Sequence, residues 1–394
     1  MLPFNPNKEN CTGCAACYSV CPVKCITMAP DEEGFLYPTA SAACINCKLC
    51  EKVCPMHQPK LKNDYRKQAV AALTKDYKVW QRSASGGAFS EICRTWADEN
   101  TLIVGAAWHD LKVHHIGVLG FKNIAPLCKS KYISSAIENT FIDIQQHLRK
   151  DHKVIFCGCP CQVDGLAHFL RNKKNDNLLL IDLICHGQGS PSVFEASMAI
   201  LSKQLKAQVI NYQFRAKRRV HECDYLALVE TTKTRQYILN DPYIQLFLSQ
   251  NAIRPSCGKF CQYRNPNRPS DLTIADYKGL TKIFPKLLGT KKNYSTIISN
   301  TQKGEHVLNM LYQVMKIYPS TINDIIKYNP LFAHQTTFSE NRDQFFHDFM
   351  QDPQNAILAW TRPYKIANYT LKHQIFDLLP KWIRKLVLIL LHKR

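Results

Sequence analysis

Apolar positions along the chain fall into short continuous runs separated by amphipathic stretches. The runs QAVAAL from position 68, LIVGAAW from 102, VIF from 154 and NLLLIDLI from 177 predict buried strands, with HHIGVLG from 114 a further one. Between them, SASGGAFSEICRTWADEN reads as a glycine loop opening a helix, and SAIENTFIDIQQHLRK as an amphipathic helix. Strands alternating with helices predict a mixed α/β body. Beyond about residue 290 the pattern turns mostly helical. Before residue 60 it is different: CITMAPDEEGFLYPTA predicts two short strands around an acidic turn with Gly34. MHQPKLKND, from 56, reads as a polar linker. The expected organisation is an α+β chain in four segments, 1–62, 67–145, 146–320 and 321–394.

Composition changes this picture in one respect. The chain has 394 residues and 18 cysteines. Its first residues carry no apolar stretch of the kind a secretory signal needs, so a cytoplasmic location is expected. There a disulfide framework is disfavoured, and dense cysteines read as metal ligands. No apolar run approaches the roughly 20 residues of a membrane span. The formal charge of +20 points to an acidic small molecule or redox partner first and an anionic membrane surface second. Aromatic–basic interleaving is lacking, and nucleic acid is not an expected partner.

The strongest chemistry is N-terminal. CTGCAACYSVCP places Cys11, Cys14, Cys17 and Cys21 in a C-x2-C-x2-C-x3-C-P run, and CINCKLCEKVCP repeats it with Cys44, Cys47, Cys50 and Cys54. Three close thiolates wrap one corner of a cubane, while the fourth, before proline, reaches the other cluster of a two-cluster ferredoxin. Two 4Fe–4S clusters follow: Cys11, Cys14, Cys17 and Cys54 on one, and Cys44, Cys47, Cys50 and Cys21 on the other. A pair of zinc knuckles is the alternative, and it seldom wants cysteines so closely spaced. Cys25 is expected to be a small buried hydrophobe.

Later cysteines are subtler. Cys161 and Cys185 each end a predicted strand, and Cys257 and Cys261 share a proline- and arginine-rich loop. Together they make a candidate third four-thiolate site. Cys93, Cys128 and Cys223 have no nearby partner in sequence and are read as structural. Ser83, Ser85, Gly86 and Gly87, before a helix, form a candidate phosphate or flavin cradle. Ser130, Lys131 and Tyr132 add a second, weaker element.

The order of these motifs, with VIFCGCPCQVDGL, LIDLICHGQGSPSVF, FRAKRR and RPSDLTIADYKGL, resembles the coenzyme F-420 hydrogenase/dehydrogenase beta subunit family, from about residue 8 to 280. The resemblance implies an iron–sulfur flavoprotein oxidoreductase: an N-terminal two-cluster ferredoxin-like domain, a mixed α/β flavin-binding body and a helical C-terminal tail. Segment 67–145 would be the N-terminal part of the flavin-binding region, and 146–320 the family's C-terminal region. FAD is the implied flavin, with Ser83, Ser85, Gly86, Gly87, Ser130, Lys131 and Tyr132 as contacts. Cys161 would be a cluster ligand or stand at the flavin–cluster junction; Cys157 and Cys159 are expected to be bystanders. Two departures stand out. The later pair is spaced C-x3-C where the family commonly has C-x2-C, and Lys278 in DYKG replaces a tryptophan, which would change the substrate pocket if it faces it.

The implied donor is ferredoxin-like or another redox protein. The implied acceptor is a small molecule, a deazaflavin or, in bacteria, an unknown substrate, with polysaccharide biosynthesis one setting. The alternative is a non-catalytic electron-transfer subunit of a larger complex. No catalytic residue is assigned. The tail, residues 379–394, joins Pro380 and Trp382 to apolar and basic residues, and is expected to dock as a helix on the body or to lie on the inner membrane surface.

Overall fold

The computed structural model describes residues 2, 5–58, 65–173, 175–217, 225–258, 261–288, 290, 292–334 and 339–366, with positions 375, 379, 380, 382, 383 and 386 of the tail. Strands are β1 (Ile26–Pro30), β2 (Leu36–Ala40), β3 (Gln68–Thr74), β4 (Leu102–His109), β5 (Lys112–Leu119), β6 (Val154–Gly158) and β7 (Leu178–Leu183). They continue with β8 (Val209–Gln213), β9 (Leu226–Thr231), β10 (Arg235–Leu239), β11 (Leu272–Asp276), β12 (Ser295–Ser299), β13 (Met315–Ser320) and β14 (Lys365–Ile366).

An eight-stranded sheet in the order β13-β3-β12-β11-β7-β6-β4-β5 forms the centre. Its middle strands β11, β7, β6 and β4 run parallel, while β5, β12, β3 and β13 each pair antiparallel with their neighbours. The period of two decides the layers. Ile103 and Ile155 point to helices Ala88–Trp96 and Gln302–Met310, while Leu102, Val104, Val154 and Phe156 point to helices Thr140–Arg149 and Pro160–Phe169. β14-β10-β9-β8 form a smaller antiparallel sheet. It packs with helices Pro191–Gln204, Pro242–Leu248 and Arg342–Gln351 in a second core rich in Tyr212, Phe214, Tyr243 and Phe345.

The described residues beyond 290 are mostly helical, as expected, but two strands interrupt them. β12 and β13 both belong to the large sheet, and β13 forms its edge, where Pro319 is tolerated. Because this sheet takes strands from residues 68–320, the segments 67–145 and 146–320 fold as one body. Helices Ile322–Tyr328, Arg342–Gln351 and Pro353–Trp360 follow. Most of tail 379–394, Cys223, the end of FRAKRR and most of the linker lie outside the described residues. Among the described residues no helix is long and apolar enough to cross a membrane.

The N-terminal module carries its sequence repeat into the backbone. Gly13 and Ala15 in one half, and Asn46 and Lys48 in the other, hold positive φ of 67°, 62°, 53° and 59°. Each half then enters a short helix, Ala16–Val20 or Leu49–Lys52. The module packs on the body through Cys14, Ala15, Ala16 and Val53, which share a core with Val163 and Leu166 of helix Pro160–Phe169. Arg342 clasps Glu33 across the same boundary, its Nη1 donating at 3.1 Å to Oε1.

Candidate functional site

Two groups of thiols form in the N-terminal module. Cys11, Cys14, Cys17 and Cys54 crowd one another: burial and mutual repulsion push Cys14 up to about 12 and Cys54 to about 11, and Cys17 also rises. Cys21, Cys44, Cys47 and Cys50 gather on the other side, where Cys44 and Cys47 are exposed. Cys25 is buried, as expected, but stands one residue before β1 with its sulfur 3.4 Å from that of Cys21. It therefore belongs to the surroundings of the second group.

The stretch around residue 158 resolves into a sharp strand-to-helix turn. β6 ends at Gly158, Cys159 caps the helix, and Pro160 fits its first position. The Gln162 side chain turns back to accept the Cys159 amide at 2.9 Å, closing a capping box. Cys161 is thereby buried on the first turn. Strand β7 delivers Cys185 just past its end, Cys257 ends a short 3-10 helix, Pro255–Cys257, and Cys261 follows it. All four line one small cavity with Thr12, Gln188, Ser256, Tyr263 and Arg264.

The chemistry of this cup suits an anionic cluster. Burial pushes Cys257 up to about 12 and Cys161 and Cys261 upward too, so these thiols ionise readily only onto a cation that offsets the repulsion. Cys185 is the exception, drawn down to about 7 by its hydrogen bond with Cys159, 3.7 Å away, and then by Arg264 and Arg268. Gln188 donates its amide to the Cys257 sulfur and its side-chain Nε2 to the Cys161 sulfur, both at 3.3 Å. Two polar atoms in the wall, Ser256 Oγ and Arg264 Nη1, are buried without a protein partner, as groups awaiting an anionic guest would be. Among the described residues no three Cys, His, Asp or Glu groups close around a single ion; a cubane needs a wider cup.

Beside it lies a cavity of about 320 Å³, in the range of small-molecule sites. It opens at the carboxyl ends of the parallel strands, walled by Gly105 of β4, Cys157 and Gly158 of β6, Leu183 of β7 and Asp276 of β11. Open α/β sheets bind ligands at that edge. Cys185, Gly187, Gln188 and Leu331 wall both cavities.

Ser83, Ser85, Gly87, Ser130, Lys131 and Tyr132 all line the large cavity, as do Ala88, Phe89 and Ser90 of the helix that Gly87 (φ +95°) opens. Gly86 does not. A Cβ there would meet Ala72 O at 2.3 Å and Ser295 N at 2.5 Å, so this glycine is required by β3 and β12 rather than by a ligand. Lys131 is tied down, its amine donating to Pro126 O at 2.9 Å and Cys128 O at 2.8 Å. Burial lowers both Lys129 and Lys131 to about 8. Lys129, absent from the sequence candidates, also lines the cavity and has no partner for its amine among the described residues. An anion bound beside it would raise its pKa again.

Four further residues escaped the sequence reading. Cys157 and Cys159, expected as bystanders, both line the large cavity, and Cys128, read as structural, also does. Gln188 links the thiol cup to the N-terminal module, donating to Thr12 O at 3.0 Å. Lys278 faces the large cavity, so the substitution noted in sequence falls in its wall.

Known proteins resemble the chain in two separate stretches. An uncharacterized ferredoxin of Methanocaldococcus jannaschii is 41% identical over 49 residues, 12% of this chain and 64% of that protein. An uncharacterized protein from the rpl9-rpl11 intergenic region of Porphyra purpurea is 40% identical over 50 residues, 12% of this chain and 67% of that protein. The chain thus spans about two thirds of the length of these curated relatives. Among solved structures, a chain of the F420-reducing [NiFe] hydrogenase complex of Methanosarcina barkeri aligns with a TM-score of 0.43 at 12% identity, covering 76% of this chain and 91% of that one. Residues 10–58 match the model of the 4Fe–4S dicluster domain, and residues 151–324 match that of the C terminus of the coenzyme F420 hydrogenase/dehydrogenase beta subunit. With two thiol sets in the first stretch and strands β6, β7, β11, β12 and β13 of the cavity-bearing sheet in the second, the chain carries the C-terminal domain of the F420 hydrogenase/dehydrogenase beta subunit family at residues 151–324, behind an iron–sulfur ferredoxin module at residues 10–58.

Proposed function

We propose that the protein is an iron–sulfur flavoprotein oxidoreductase, taking single electrons from a ferredoxin-like or other redox-protein donor and passing them in pairs to a small organic acceptor. The observation that carries this reading is the wall shared by the thiol cup and the large cavity, with Cys185 in both. Bound there, 4Fe–4S clusters supply one-electron steps and a flavin, FAD in this reading, supplies the two-electron step.

Burial sets a direction. Cys44 and Cys47 are exposed and flank the exposed Ile45, a suitable contact for a donor. Cys11 and Cys14 are buried, and so, to the same degree, are Cys161 and Cys257, which line the cup beside the large cavity. Cys14 touches the helix that carries Cys161, because a Cβ at Gly165 of that helix would lie 2.9 Å from the Cys14 sulfur. In this reading the path runs from the exposed cysteines through the Cys14 contact to the cup and the cavity beside it. Ser83, Ser85, Gly87, Lys129 and the first turn of helix Ala88–Trp96 would hold the flavin's anionic part, while Lys278, His186 and Asp276 would face the acceptor.

Cys161→Ser tests the reading. The variant should lose about four irons per chain, and flavin reduction by reduced viologen dye should slow at least tenfold while the N-terminal cluster signals persist. Wild-type iron content and wild-type flavin reduction would refute it.

A further inference from the structure

Arg254 is among the most deeply buried charges in the protein. It is 1% exposed, and among the described residues no carboxylate pairs with it. Its Nε donates to Cys11 O at 2.8 Å and its Nη2 to Leu36 O at 2.9 Å, and Nη2 lies 4.0 Å from the Cys11 sulfur. The guanidinium carbon sits 4.2 Å from the Tyr37 ring centre. At the other end, its backbone amide donates to Gln188 O at 2.8 Å and its carbonyl accepts from the Cys257 amide at 2.9 Å. Gln188 in turn donates to the sulfurs of Cys257 and Cys161. One residue thus touches the N-terminal thiol group and the backbone of the thiol cup.

The sequence makes room for it. Gly13, between Cys11 and Cys14, holds φ +67°, and a Cβ there would come 2.7 Å from Arg254 Nη1. The guanidinium therefore lies flat against the cysteine loop itself. A buried cation costs several kcal/mol unless charge and hydrogen bonds offset it. Two carbonyls and a ring supply part of the offset, and Cys11, once a cluster thiolate, would supply negative charge 4.0 Å from Nη2.

We propose that Arg254 is the fixed countercharge between the cluster at Cys11, Cys14, Cys17 and Cys54 and the cluster at Cys161, Cys185, Cys257 and Cys261, raising the potentials of both so that each can be reduced as an electron moves from one to the other. The step is a single-electron transfer in which the first site is oxidised and the second reduced, with no bond made or broken. An added electron adds negative charge, and a positive charge held nearby stabilises it on either side. This role rests on the proposed cluster assignment. Gln188 and Tyr37 are its neighbours; Arg254 supplies the charge.

The test separates charge from hydrogen bonding. Arg254→Gln keeps donors but removes the charge, and Arg254→Lys keeps the charge with a different shape. Redox titration of the loaded proteins, followed by electron paramagnetic resonance, reads each cluster's midpoint. In Arg254→Gln the midpoints of the two flanking clusters should fall by at least a factor of ten in the reduction equilibrium, about 59 mV for one electron. The exposed cluster at Cys44 and Cys47 should not move, and Arg254→Lys should stay close to wild type. Failure of Arg254→Gln to assemble its clusters while Arg254→Lys does so would equally show that the charge is needed. Wild-type midpoints in Arg254→Gln, or loss of both flanking clusters in Arg254→Lys, would overturn the proposal. Iron content of the wild type is read separately: if the cup at Cys161 holds no cluster, the cluster assignment fails there, while the effect of Arg254 on the Cys11 cluster is still measured.

Discussion

Gly165 and Cys14 are pressed together, leaving no room for a side chain: a Cβ on Gly165 would lie 2.8 Å from Cys14 Cβ and 2.9 Å from its sulfur. This contact ties the helix of Cys161 to the loop of the N-terminal cluster, joining two thiol groups that are 147 positions apart in the chain, at 14 and 161.

Gly165→Ala should therefore force the two elements apart. Overpacking of this kind costs about 1–3 kcal/mol, and the displaced loop carries a cluster ligand. A lower unfolding midpoint together with reduced iron content is expected. An unchanged protein by both measures would mean that the contact is slack.

A buried ion pair fixes the loop behind the cup. Arg268 Nε donates to Asp182 Oδ2 at 3.1 Å, with side chains 1% and 0% exposed, and Arg268 Nη1 donates to Tyr263 O at 2.6 Å. Arg268→Met leaves Asp182 buried and unpaired, which costs about 3–5 kcal/mol. Chemical denaturation should show a loss of that size; the double variant with Asp182→Leu should recover part of it.

His115 gives a pH signature. Burial lowers its pKa from 6.5 to about 4, while Ser135 Oγ lies 2.8 Å from its Nδ1. The unfolded chain then binds a proton that the folded one refuses between about pH 6.5 and 4, so stability falls as pH is lowered through that window. His115→Gln should flatten this part of the stability profile. A profile as steep as wild type would assign the acid sensitivity to other groups.

How much of this was legible in the sequence depended on distance along the chain. The N-terminal cysteines announce themselves because their ligands are spaced within one or two turns. Cys161 and Cys185 could be paired because each ends an apolar run, and neighbouring β6 and β7 bring those ends together. Arg254 and Gln188 could not, since their roles come from contacts across 243 and 176 positions. Gly86 is ambiguous in sequence, because a glycine needed for sheet packing looks like one needed for a ligand. β12 and β13 were missed because five or six residues beside helical stretches carry too little periodicity to stand out.

Lys278 should bear on acceptor choice. It is exposed, lines the large cavity and pairs with no acid among the described residues. Lys278→Ala should raise KM for a disulfonated quinone roughly 2–5-fold, as expected for a partly exposed ion pair of about 0.5–1 kcal/mol, and leave KM for an uncharged quinone unchanged. Equal effects on both would remove charge recognition from this position.

The proposed electron path requires a third cluster between the ferredoxin module and a flavin. Iron and flavin counts on anaerobically purified, reconstituted protein test it most directly. About twelve irons and about one flavin per chain are expected, from three 4Fe–4S sites and one cavity. About eight irons with no bound flavin would contradict it, leaving a two-cluster ferredoxin module on a body without a redox centre.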